Sequence, residues 1–387
     1  MRLGMRRIFG RFVPRLPNPI TPPARALVAI SLAACFAATS AGTLVEDAVL
    51  EHGGISRYYD YYVPSFLPRA PVPLVFILHG GTDSNKALLR NSSAWAEWPT
   101  IADREKFVLV LPNGTLGTTG TSGPDGPYRW NDCRADGPGV TADDAGFVSA
   151  LIDWADGEFA IDSQRIYAAG WSNGGMMAYR LALEYSDRFA AVAAVAANLP
   201  LTSDCAEPGI ENPASILIMN GTSDYWMPWN GGQVIGFRGG ITSATYTRDF
   251  WKRLIGRSLL RLHTDFQDRV STDNSSVSLD RYSGGMLGSE VLFYTIAGGG
   301  HTIPSVKHRI GGIAETVVGW QNQDIEAAEL IWEFFDGHTR DGIKADELDC
   351  TPLAGDAGPG HPIPGGDAFV FALTALVLAI LRPHPRT

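Results

Sequence analysis

The sequence predicts an α/β fold, with a mostly parallel central sheet covered by helices on both faces. Three observations carry this expectation. Apolar runs of strand length end in glycine or proline, helix-period segments lie between them, and the two kinds alternate from about residue 45 to residue 350. The runs are apolar at nearly every position, as strands buried on both faces should be.

Taken in order, RYYDYYVP (57–64) reads as an edge strand closed by proline, and PLVFILHGG (73–81) as a strand buried on both faces. Residues 86–105 read as helix, interrupted at Pro99, and KFVLVLPNG (106–114) as a second buried strand. TADDAGFVSALIDWADGEF (141–159) reads as an amphipathic helix capped by Thr141 or Asp143. RIYAAG (165–170) is a third buried strand, followed by a helix in which Met176, Met177, Leu181 and Leu183 fall at helical spacings. FAAVAAVAAN (189–198), SILIMNG (215–221) and EVLFYTIAGGGH (290–301) read as further strands. ATYTRDFWKRLIG and IEAAELIWEFFDG (325–337) read as helices. Two stretches, 115–140 and 222–241, read as inserted loops, and no internal repeat is present.

Hydrophobic residues make up 45% of the 387 and charged residues 19%, which suits a globular chain with a sizeable core. The net charge is −10 and the body carries no basic stripe, which argues against nucleic acid as a partner. The ends differ from the middle. Residues 1–25 hold six arginines and no acidic residue, and ALVAISLAACFAATSAG follows, so residues 1–41 read as a secretory signal. TSA before Gly42 offers a signal-peptidase site, and LAAC ending at Cys35 resembles a lipobox. A Gly/Pro linker (351–366) leads to an apolar tail with a basic end (367–387), read as a sorting tag or transient membrane anchor. Cys133, Cys205 and Cys350 remain after the leader. An exported chain is expected to pair two of them, and their spacing leaves open which two. No ligand spacing for zinc appears, and no metal or cofactor is expected.

In such a sheet, reactive groups collect at the carboxyl ends of the strands. AAGWSNGGMMAY (168–179) sets Ser172 between a strand and a helix, with Gly170 and Gly174 around it in the G-x-S-x-G order of a nucleophile elbow. Asp224 follows the strand SILIMNG and His301 follows EVLFYTIAGGG. The order Ser, Asp, His is the one α/β-hydrolases use. A serine hydroxyl needs a base to take its proton, an imidazole can take and return it, and a carboxylate orients the imidazole. An oxyanion needs donors aimed at it: the Asn173 N–H, after the nucleophile, and Gly81 or next Thr82 in LHGGTD (78–83). His79 is expected to brace that loop.

LVFILHGG, YRWNDC, DDAGFVSALID, IYAAGWSNGGMMAYRLA, MNGTSDYWMPWNGG and AGGGHTIP together resemble the exported polyhydroxybutyrate depolymerase and feruloyl esterase group of α/β-hydrolases, from about residue 50 to residue 338. The resemblance implies nucleophile, acid and base roles for Ser172, Asp224 and His301. It also implies an active-site loop at Trp130 and Asn131. That family often pairs cysteines near the WN segment, where this chain has Cys133 alone, and no separate polymer-binding domain is evident. Trp130, Trp226 and Trp229 are candidates to stack on an aromatic acyl group or a sugar ring. The expectation is an exported serine carboxylic ester hydrolase without a cofactor, acting on a polyester or on feruloylated or acetylated polysaccharide. The rival readings are a surface-anchored binding protein on a hydrolase scaffold and a triad hydrolase for another acyl donor, a peptide included.

Overall fold

The structure, a computed structural model, describes residues 41–343 apart from 91–92, 118–119, 138, 206–211, 237 and 257. The expected leader up to residue 40, Cys350, the linker and the apolar tail lie outside the described residues. The strands of the main sheet are β1 (Thr43–His52), β2 (Ile55–Val63), β3 (Val72–Leu78), β4 (Val108–Pro112) and β5 (Ile161–Trp171), then β6 (Ala191–Val195), β7 (Ser215–Gly221), β8 (Leu260–Asp265), β9 (Ser276–Ser283) and β10 (Val291–Ala297). The helices are α1 (Trp98–Glu105), α2 (Asp144–Glu158), α3 (Asn173–Glu184), α4 (Ala244–Ile255), α5 (Gly312–Val318) and α6 (Ala327–Asp336).

In this numbering the ten strands run β1-β2-β4-β3-β5-β6-β7-β10-β9-β8 across the sheet. From β4 to β10 every neighbouring pair is parallel. An antiparallel ladder closes each side, β1–β2–β4 on one and β10–β9–β8 on the other. The mostly parallel sheet is as the apolar runs predict. β3, β4, β6 and β7 are buried at every position. Alternate side chains serve opposite cores: Leu74, Phe76 and Leu78 meet α2, α3 and α4, while Val75 and Ile77 meet α1 and α6. Each such side chain contributes about 2 kcal/mol by leaving water, and a polar residue at any of them would break the layer it fills.

The structure corrects several element boundaries. RYYDYYVP is not an edge, because β1 pairs along β2 and takes the edge position. The helix expected over 86–105 is three pieces: a turn at Asn85–Leu88, a 3₁₀ segment Ala94–Glu97 capped by Ser93, and α1. Pro99 does not interrupt α1. It sits in the first turn, where its missing N–H costs nothing. At α2 the cap is Asp143, whose carboxylate accepts the Gly146 N–H at 2.9 Å. Cys133 and Cys205 form a disulfide with their Cα atoms 5.4 Å apart. The partner missing beside the WN segment therefore comes from 72 residues downstream.

Candidate active site

Ser172 leaves β5 and enters α3 with φ 57° and ψ −121°, a left-handed φ that non-glycine residues avoid. The glycines on either side make the turn possible. A Cβ on Gly170 would lie 2.2 Å from the Gly174 carbonyl oxygen, and one on Gly174 would lie 2.3 Å from that of Leu78. The helix can approach the ends of β3 and β5 this closely only because both side chains are absent. The Ser172 N–H donates to Val195, at the end of β6, and its carbonyl accepts from Met176. Its hydroxyl makes no capping bond.

Asp224 and His301 follow β7 and β10, which are paired in parallel, so the two residues emerge side by side. Nδ1 of His301 donates to Asp224 Oδ2 at 2.7 Å, and both side chains are buried. The other oxygen, Oδ1, accepts the N–H groups of Trp226 and Met227 at 2.8 Å each. The imidazole has two indoles beside it, Trp171 at 5.0 Å and Trp226 at 6.1 Å between ring centres. Trp226 is itself anchored by donating Nε1–H to the Val317 carbonyl in the last turn of α5. With Nδ1 bound to a carboxylate, the ring has Nε2 left for chemistry.

A cavity of about 320 Å³ joins these groups, and Ser172, Asn173, Gly81, Thr82, Trp226 and His301 all line it. A Cβ on Gly81 would sit 3.3 Å from that of Asn173, so these two backbone positions adjoin. Thr82 is different. Its N–H is committed to the Tyr128 carbonyl at 2.7 Å, which takes it out of the oxyanion candidates.

Three of the residues expected to touch substrate do not line the cavity. Trp130 is buried, donates Nε1–H to the His79 carbonyl at 2.9 Å, and packs its ring 4.9 Å from the His79 imidazole. Asn131 donates its N–H to Asp144 and its side-chain amide to the Ala142 carbonyl. Trp229 packs against Phe293 at the edge of the core. The WN loop instead fixes its neighbours. The Asn173 side chain accepts from the Trp130 N–H at 2.8 Å and donates to Asp132 at 2.6 Å, locking the elbow to this loop. Sequence reading missed Trp171, whose place directly before the nucleophile was the available signal. It also missed Arg129, Arg134 and Arg238 on the cavity wall, for which charge alone offered none.

His79 braces the loop after β3, as expected. It is fully buried. Nδ1–H donates to the Gly80 carbonyl at 2.7 Å and Nε2 accepts the Gly114 N–H at 3.0 Å, which defines a neutral ring. Burial, with Arg57 nearby, pushes its pKa down to about 4 against the Gly80 carbonyl, which favours the charged form. In the unfolded chain the ring titrates near 6.5, so between these values the unfolded state binds the extra proton. Stability from this ring is therefore complete above 6.5 and is lost as the pH falls toward 4. The denaturant midpoint should drop across that window, by an amount corresponding to about 3 kcal/mol, and drop less in His79→Gln. A midpoint independent of pH there would contradict the neutral ring.

The comparisons with known proteins agree with this architecture. The sequence pattern of the prolyl oligopeptidase family matches residues 128–327, just over half of the chain. A putative esterase, NocK, of Nocardia uniformis subsp. tsuyamanensis is 28% identical over 84% of this chain and 91% of its own length. A probable feruloyl esterase C of Aspergillus oryzae is 25% identical over 59% of this chain and 76% of its own. A poly(3-hydroxybutyrate) depolymerase of Ralstonia pickettii is 29% identical over 40% of this chain and 31% of its own. These relatives bear out the feruloyl esterase and depolymerase resemblance read from the motifs. A parallel sheet of this topology, a strand-to-helix serine turn and esterase relatives lead to one assignment: the chain belongs to the prolyl oligopeptidase family and is a carboxylic ester hydrolase of the α/β-hydrolase fold.

Proposed function

We propose that Ser172, His301 and Asp224 act as nucleophile, base and acid of a serine esterase that works through an acyl-enzyme. One observation carries this reading: the buried His301–Asp224 hydrogen bond opens onto the same cavity as the strained serine turn. Ser172 Oγ attacks the ester carbonyl carbon as its proton passes to His301 Nε2. The oxyanion is met by the N–H groups of Asn173 and Gly81. The C–O bond to the alcohol breaks, and the alcohol leaves with the proton from Nε2. A water molecule then attacks the acyl carbon, again giving its proton to Nε2. The acid departs as that proton returns to Ser172. The imidazole must be neutral at each attack, so activity falls on the acid side.

The substrates proposed are aromatic-acyl or hydroxyalkanoate esters, after the names of the relatives, with Trp226 as the ring that meets the acyl group or sugar. The body at 45–350 is proposed as the catalytic unit. The leader and the tail are proposed to serve export and temporary anchoring, on their basic and apolar patterning. A fluorophosphonate probe followed by peptide mapping, run beside a panel of 4-nitrophenyl esters, methyl ferulate and hydroxybutyrate oligomers, tests the reading. The label is expected on Ser172 and hydrolysis on at least one ester class. Folded protein that neither labels nor hydrolyses any of them would refute it.

A further inference from the structure

We propose that the preferred ester carries a carboxylate, and that Arg129 and Arg238 hold it on the wall of the cavity beside Ser172. The proposal rests on the reading of Ser172 as the nucleophile and extends it to the substrate's charge. Three guanidinium groups, Arg129, Arg134 and Arg238, line this one cavity in a chain of net charge −10. Arg134 is the only one of the three with a counter-ion among the described residues. It grips Asp132 through Nε at 3.0 Å and Nη2 at 2.7 Å, while its Nη1 is buried with no hydrogen-bond partner. Neither Arg129 nor Arg238 has a carboxylate within ion-pairing distance among the described residues.

The nearby acids are already engaged. Asp132 also accepts from Asn173. Asp136 accepts the Gly240 N–H and the Gln233 amide. Asp83, on the same wall, accepts the Ser84 N–H and has Arg90 as its cationic neighbour. Arg129 is held in place by paired backbone bonds with Thr115, and Arg238 closes a turn in which Val234 donates to Gly239. Burial, then Arg238, then Arg134, all disfavour the charge on Arg129. Like charges gathered this way repel one another, and an anion between them reverses the sign of that interaction. A guanidinium presents a planar pair of N–H donors that matches the two oxygens of a carboxylate. The carboxylate can stand on the acyl or on the alcohol side of the ester.

Two matched pairs of substrates separate these cases. Mono-4-nitrophenyl glutarate against 4-nitrophenyl pentanoate varies charge on the acyl side, and 4-acetoxybenzoate against 4-acetoxybenzamide varies it on the alcohol side. In one pair the anionic member should have a kcat/KM at least about tenfold higher, expressed in KM. That ratio should fall with added salt and collapse toward one in Arg129→Gln and Arg238→Gln, with Arg129→Lys retaining part of it. Calorimetry on Ser172→Ala reads binding of the same esters without turnover. Tighter binding of the anionic member supports the arginine site even if no ester is hydrolysed, an outcome that would count against the nucleophile alone. Turnover of both pairs with no preference for charge, and equal binding, would overturn the proposal and leave the nucleophile standing.

Discussion

Ser172→Ala should lower turnover of every ester substrate by about 10^4-fold or more and leave the fold in place. The expectation comes from how little else the hydroxyl does. It caps no helix, and the turn is held by backbone bonds to Val195 and from Met176 that alanine keeps. Alanine enters the same left-handed φ as serine, so the glycines at 170 and 174 still admit the helix. Paired measurements decide it: hydrolysis of an activated ester by the purified variant, and its thermal unfolding. A variant that melts like the parent and turns over at a near-normal rate would show that another group is the nucleophile.

Asp224→Asn should cost about 10^4-fold in kcat, although it changes one atom. The Asp224 oxygens have different tasks, one facing His301 Nδ1 and the other accepting two backbone N–H groups. An amide must leave its oxygen with the two donors, which turns its NH₂ toward Nδ1. The imidazole then has to accept at Nδ1 and carry its proton on Nε2, the nitrogen that must be free to take the serine proton. Packing against Trp171 and Trp226 opposes turning of the ring. A loss of less than tenfold, measured as kcat at saturating ester, would mean that Asp224 only shapes the loop.

The parts of this molecule that were legible in sequence are those in which one physical pressure dominates. Val72–Leu78 and Ser215–Gly221 are buried on both faces, so all but Asn220 are apolar or small, and the runs announce themselves. The serine turn was legible because its glycines answer to close backbone contacts. β1 and β8 were not, because they are the edge strands. Leu260–Asp265 is exposed at nearly every position, so no burial pattern marks it as a strand. Charged residues in loops read as solvated, which hid Arg129 and Arg238. Trp130 read as a platform at the rim, whereas its indole N–H and ring face are both engaged by His79. Cys205 could not be matched to Cys133 because pairing across 72 residues is set by tertiary approach, not by spacing.

The position of β10 has a consequence for when the molecule becomes reactive. The serine strand is followed at once by β6 and β7, but the strand that delivers His301 is inserted between β7 and β9 only after about three-quarters of the chain has been made. With the proposed triad, a nascent chain carries the nucleophile and its carboxylate for a long interval with no base to join them. Non-local parallel pairing is also among the slower events in folding. For that proposed triad, synthesis order would act as a safety catch: the polypeptide would stay chemically silent toward esters around it until its last parallel strand docks.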